Sequence, residues 1–187
     1  MARKVIVYIA ASVDGFIAGP DGDLSFLSSV EKEGEDYGYS AFVETVDTVI
    51  VGKNTYDKVL SMGYAFPHAS KESYIITRTE RAAEGTTVFY TGDVAELVRK
   101  LKTKEGQNIF VDGGAYVVNQ LLQQQLIDEI YLSIIPVLLG GGIALFKQEN
   151  PMQQLKLQSA KHFDTGLVQL HYLFPKADQR SCYVTNF

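Results

Sequence analysis

Apolar residues in this chain come in short dense runs divided by polar stretches rich in Gly, Asp and Pro. The spacing inside each run separates strand from helix. Lys4 to Ala11 (KVIVYIAA) is apolar almost without interruption, the pattern of a strand covered on both faces. Asp47–Val51 (DTVIV), Glu72–Thr77 (ESYIIT), Thr87–Tyr90 (TVFY) and Asn108–Val111 (NIFV) repeat it. Helical spacing falls between them. Glu31 to Val46 carries Tyr39, Phe42, Val43 and Val46 at i, i+3, i+4 and i+7, and a short helix is expected from about Asn54 to Leu60, with Asn54 and Asp57 as its cap pair. Asp93 to Lys102 is the clearest helix: Val94, Leu97, Val98 and Leu101 form its buried stripe, and Asp93 with Glu96 reads as a capping box. Another helix follows Gly114 to about Gln125. From Leu126 the helices stop, and Glu129–Val137, Leu155–Phe163 and Leu167–Phe174 read as strands. Alternation followed by an all-strand region predicts a three-layer α/β/α fold whose central mixed, mainly parallel sheet ends in antiparallel strands. A chain of 187 residues suits one domain, placed at 1–175, with 176–187 as a tail whose role the pattern leaves open.

Charge narrows the partners. A net charge of -5 and a pI near 5.2 leave no basic field for a polyanion, so nucleic acid is not expected, whereas a single nucleotide needs only two or three local cations. One cysteine, Cys182, forbids an internal disulfide, and three dispersed histidines (His68, His162, His171) do not build a zinc site, a composition suited to a reducing cytoplasm. The opening MARKVIVYIAAS is basic and then apolar like a signal peptide, but its apolar run alternates and reaches Asp14-Gly15 at once, so it reads as the first strand. No run approaches the ~20 apolar residues of a membrane helix.

The candidate chemistry lies at strand ends. In Gly52-Lys53-Asn54-Thr55 and again in Asp112-Gly113-Gly114-Ala115, a buried strand meets glycine and a helix begins. Helix N-termini carry unpaired amides and partial positive charge, and glycine lets a phosphate approach the backbone; the plainer alternative is two ordinary tight turns. Neither matches the GxGxxG or Walker patterns. Thr77-Arg78-Thr79 ends another strand in hydroxyls and a guanidinium suited to bidentate phosphate capture, or to solvent. Asp14 ends the first strand and either meets a substrate or makes an Asp-Gly turn. Ile135-Pro136-Val137-Leu138-Leu139-Gly140-Gly141-Gly142 either closes over a ligand or forms a long corner, and the corner is the expectation. Tyr37, Tyr39 and Phe42 are taken as core, with stacking on a ring as the other use. The patterns of zinc deaminases and G-x-S-x-G hydrolases are absent.

In this order, SVDGFIA (12–18), VGKNTYD (51–57), IITR (75–78), IFVDGGA (109–115), LIDEI (126–130) and IPVLLGGG (135–142) resemble the dihydrofolate-reductase-like superfamily. The branch indicated is the one related to the reductase domain of bacterial riboflavin biosynthesis. The resemblance spans roughly residues 5 to 174. It implies an NADPH site: Gly52, Lys53, Asn54 and Thr55 at the phosphates, with Lys53 helping to hold the 2'-phosphate, Thr77, Arg78 and Thr79 beside the adenosine phosphate, Asp112, Gly113, Gly114 and Ala115 under the pyrophosphate, and Ala11, Ile17 and Ala18 with Asp14 toward the nicotinamide. Two departures concern the substrate. The chain has no Trp, with Phe26 near the position where dihydrofolate reductases have one, and no spacing singles out an acid among Glu35, Asp36 and Glu44. The reading at this stage is hydride transfer from NADPH to a small planar heterocycle, pterin- or pyrimidine-like, with Asp14 as first catalytic candidate and Asp36 as second. A non-catalytic nucleotide-binding protein of the same fold and a flavin-binding oxidoreductase are the alternatives. A homodimer is expected, through the strands around 129–137 or through the tail.

Overall fold

The computed structural model describes residues 3–175, and the tail at 176–187 lies outside them. Ten strands and four α-helices follow in chain order: β1 (Val5–Ser12), β2 (Phe16–Ala18), α1 (Tyr39–Val43), β3 (Val46–Gly52), α2 (Lys53–Ser61), β4 (Glu72–Ile76), β5 (Thr87–Tyr90), α3 (Val94–Lys102), β6 (Asn108–Gly113), α4 (Ala115–Gln123), β7 (Glu129–Ile135), β8 (Ile143–Ala144), β9 (Lys156–His162) and β10 (Val168–Leu173). Eight strands make one sheet in the order β5-β4-β3-β6-β1-β7-β10-β9, and β2 pairs with β8 apart from it. Strands β5 to β7 run parallel; β10 is antiparallel to β7, and β9 to β10. The predicted mixed sheet with its antiparallel end is the sheet observed.

Alternation along the strands sorts the side chains to two faces. On one, Val5, Val7, Ile50, Ile109 and Val111 pack against Leu97, Val98 and Leu101 of α3 and Val117, Val118 and Leu121 of α4. On the other, Val49 and Phe110 meet Phe42 of α1, and Val51 and Ile75 meet Tyr56 of α2. The interior strands are closed on both sides because helices leave the sheet both upward and downward.

Two expectations give way. The stretch 31–46 forms only the five-residue α1, since Tyr37 (φ 57°) and Gly38 (φ 85°) turn the chain through the left-handed region. Asp36 then accepts from the amides of Gly38 (2.8 Å) and Ser40 (2.9 Å), and Val46 opens β3. Helix α2 starts one residue early with Gly52 as N-cap, and Asp57 pairs with Lys53, not with Asn54. Strand β7 has both edges occupied, by β1 and β10, and β9 lies at one edge of the sheet, exposed along most of its length. Asp93 caps α3 as predicted, accepting from the Glu96 amide at 2.9 Å.

Leu121 is fully buried between α4 and the sheet. Leu121→Ala is expected to lower stability by about 2–5 kcal/mol through lost burial and the cavity left behind. A fall in the urea midpoint at unchanged slope checks it, and a shift equivalent to less than about 1 kcal/mol would show that α4 carries little of the core.

Candidate functional site

All the parallel strands end at the same edge of the sheet, so segments far apart in sequence become neighbours there. Val51 is in register with Gly113, and Gly52 with Ile76. The Gly52–Thr55 turn is therefore flanked by Asp112–Ala115 on one side and Thr77–Thr79 on the other. Helix α2 leaves β3 on the face of Val51, and α4 leaves β6 on the opposite face of Val111. Between two adjacent parallel strands whose helices diverge in this way a crevice opens, and both helix N-termini border it.

The two turns nearly touch. A methyl group added at Gly52 would lie 3.5 Å from the Gly114 amide nitrogen, and one at Gly114 would lie 3.0 Å from Thr55 Oγ1. The Gly113–Gly114 peptide bond is cis. Neither helix is capped by a side chain: Gly52 and Gly114 are the N-caps and have none to offer. Their first-turn amides remain open, in contrast to those of α3 under Asp93. The side chains of Asn54, Thr55 and Arg78 have no hydrogen-bond or ion-pair partner among the described residues. Lys53 is committed to Asp57 across one helical turn, and buried Thr77 accepts from the Thr79 amide at 3.2 Å.

The far wall follows β1. Ala11 and Ala18 are buried and Ile17 packs on the main core. Asp14 accepts from Ser12 Oγ (2.5 Å) and from the amides of Leu139 (3.1 Å) and Gly140 (2.7 Å). These bonds, the serine hydroxyl first, pull its carboxyl down to about 2. Asp36 is likewise lowered, by Ser40 first and then Gly38. Segment 135–142 is the expected corner: it turns under Asp14 and returns as β8 against β2. Gly142 passes so close to β2 that a Cβ there would lie 2.2 Å from the Ala18 carbonyl oxygen. Phe26 is a core residue with Val30, Ile135 and Leu167, and Tyr37 packs on that cluster with its hydroxyl on the Val30 carbonyl.

One buried polar residue had no role in the sequence reading. His68, 2% exposed, lies edge-on between Phe66 and Phe110, with Nε2 3.5 Å from Asp112 Oδ2 and 3.5 Å from the Tyr39 hydroxyl. Its Nδ1 has no partner. Burial, then the charge of Asp112, pushes the Tyr39 hydroxyl far up, so it keeps its proton at neutral pH. Tyr39, taken as core, thus joins a polar pair beneath the glycine turn. The available signal was His68 itself, a polar ring behind Phe66-Pro67 in the largely apolar stretch MGYAFPHASK (62–71). Among the described residues no group of three or more His, Cys, Asp or Glu could hold a metal ion, and no helix is long and apolar enough to cross a membrane.

Comparison with known proteins agrees with this architecture. The model of the RibD C-terminal domain matches residues 3–169. The uncharacterized protein YwjB of Bacillus subtilis (strain 168) is 40% identical over 174 residues, which are 92% of this chain and 99% of that one. Among solved structures, a protein of Shewanella sp. PV-4 named for riboflavin biosynthesis is 31% identical with a TM-score of 0.85, covering 94% of this chain and all of its own. The diaminohydroxyphosphoribosylaminopyrimidine deaminase/5-amino-6-(5-phosphoribosylamino)uracil reductase of Thermotoga maritima shares the fold (TM-score 0.69, 16% identity); 93% of this chain covers 57% of that longer one.

The Asp14 bonds predict a local effect. In Asp14→Ala, hydrogen exchange should quicken at the Leu139 and Gly140 amides while Ile109, bonded to the Lys4 carbonyl in the central sheet, keeps its protection. Because the folded carboxyl is lowered from 3.8 to about 2, its contribution is complete above about pH 4 and is lost as pH falls through 2. Unchanged exchange at both amides would mean that β2–β8 pairing alone holds the corner.

Proposed function

This chain belongs to the RibD C-terminal domain family, and we propose that it is an NADPH-dependent reductase of a small planar heterocycle, pterin- or pyrimidine-like. The observation that carries the reading is the pair of glycine-capped helix starts, α2 and α4, facing each other across the β3/β6 crevice with an unpaired Arg78 beside them. Open amides, two positive helix ends and a free guanidinium form a donor set for a phosphorylated ligand.

Residues present on the two turns suit the cofactor. The amides at Gly113, Gly114 and Ala115 and the start of α2 at Lys53, Asn54 and Thr55 would hold the pyrophosphate. Arg78, with Thr77 and Thr79, would hold the 2'-phosphate, and the β1–β2 segment with Asp14 flanks the nicotinamide end. When bound, the reduced nicotinamide supplies a hydride. Asp14 keeps the 138–142 corner in place; ionised and hydrogen-bonded three times, it is a poor proton donor at neutral pH. Asp36 is occupied with the start of α1. That both candidate acids are engaged favours the second reading, a nucleotide-binding protein of this fold without turnover. A homodimer and a cytoplasmic setting belong to the main proposal.

Calorimetric titration with NADPH and, separately, NADH tests it. A charge-assisted hydrogen bond is worth roughly 1.5–3 kcal/mol, so contacts from Arg78 should give well over tenfold preference for NADPH. Arg78→Ala is expected to remove most of that preference. Lys53→Ala should lose less, since Lys53 is already paired with Asp57. Binding of neither nucleotide would sink the proposal. Binding without oxidation of NADPH by 5-amino-6-(5-phosphoribosylamino)uracil or other pyrimidines and pterins would favour the non-catalytic reading.

A further inference from the structure

Strands β2 and β8 pair with each other apart from the eight-stranded sheet, so the wall that they build is seated by other contacts. Asp14 holds one end of it, at the amides of Leu139 and Gly140. The other end is Leu145, the residue after β8, whose side chain is fully buried in the main core. Its amide donates to the Gly15 carbonyl at 2.9 Å, immediately before β2. Its carbonyl accepts from Asn119 Nδ2 at 2.8 Å, and the same nitrogen donates to the Ala115 carbonyl at 2.6 Å. Three hydrogen bonds therefore run in series from Gly15, beside Asp14, to Ala115, the first residue of α4.

The link passes through a residue that the core alone does not call for. Asn119 is 1% exposed, among the apolar residues that α4 buries. A polar side chain there is costly unless its donors and acceptor are matched. They are: besides the two carbonyls on Nδ2, Oδ1 accepts from the Lys147 amide at 2.9 Å and from Asn150 Nδ2. The side-chain amide cannot be turned round, because the carbonyls of Ala115 and Leu145 only accept and the Lys147 amide only donates. Side chains of a helix lean toward its N-terminus, which brings Asn119 back over Ala115 and the glycine turn before it. A leucine here would extend the apolar face and break the series at Leu145.

We propose that Asn119 is a positioning residue of the crevice: through Leu145 it fixes the β1–β2 wall relative to the start of α4, so that a dinucleotide whose pyrophosphate lies on the α4 turn meets its nicotinamide wall already in place. The inference rests on the reading of the crevice as an NADPH site. Asn119 is buried and acts through the backbone of Leu145, not by touching the ligand. A wall that is in place only part of the time lowers apparent affinity by that fraction, and only for ligands long enough to reach it.

The test compares the full chain with Asn119→Ala by calorimetry, using two probes: NADPH, and adenosine 2',5'-bisphosphate, which ends short of the wall. The variant is expected to bind NADPH about tenfold more weakly, as for a wall in place about a tenth of the time, and the bisphosphate within about twofold of wild type. Hydrogen exchange in the variant should quicken at the Leu145 and Lys147 amides and stay slow at Val118, whose amide is bonded to the Gly114 carbonyl at 3.2 Å. Unchanged NADPH affinity, or an equal loss for both probes, overturns the proposal, since general damage to α4 would not separate them. Should Asn119→Ala fail to fold, wild type decides: NADPH should slow exchange at Leu145 and the bisphosphate should not, and an equal response to both overturns the proposal. If wild type binds no NADPH, the cofactor reading falls and this role falls with it. A wild type that binds NADPH beside a variant that binds it equally well overturns the role of Asn119 alone.

Discussion

The structure depends on one constraint: a parallel sheet has to be covered on both faces. Neighbouring strands β3 and β6 cannot both send their helices to the same side without leaving the other face at Val51 and Ile75, which Tyr56 of α2 covers, exposed to water. The chain answers by placing α2 on one side and α4 on the other. The crevice at the carboxyl edge is the geometric residue of that answer, and the two helix ends border it whatever their function. What the sequence adds is glycine at both caps, which withholds the side-chain oxygen that would otherwise quench those amides.

Legibility in the sequence followed the range of the interaction. Buried strands were visible as dense apolar runs, and α3 was visible to the residue because its cap and stripe both act within ten positions. The stretch 31–46 misled because apolar spacing at Tyr39, Phe42, Val43 and Val46 is real, but Val46 belongs to β3, and backbone geometry at Tyr37 and Gly38 starts the helix late. Periodicity records which side chains are buried; it does not record that two elements bury them.

The candidate site divides in the same way. Glycine turns at 52–55 and 112–115 announced themselves locally, and the register of β3 against β6 brings them together. Asp14 was legible as a strand-end carboxylate, but not as the anchor of amides 125 residues away or more. His68 and Asp112 are separated by 44 positions and meet only because the α2–β4 connection crosses the face that Phe110 occupies. No spacing rule in one sequence contains that encounter.

The triple glycine of the 135–142 corner shows how unlike three identical neighbours can be under mutation. Gly141 faces open space in an ordinary conformation, so drift there should be close to neutral. Gly140 has room around it but a φ of +70°, which admits Asn or Asp more readily than a branched residue. Gly142 has neither freedom, with a φ of +133° and the Ala18 carbonyl where a Cβ would stand. Over evolutionary time the motif should therefore erode from its middle and persist at its last position, where β8 turns in beside β2.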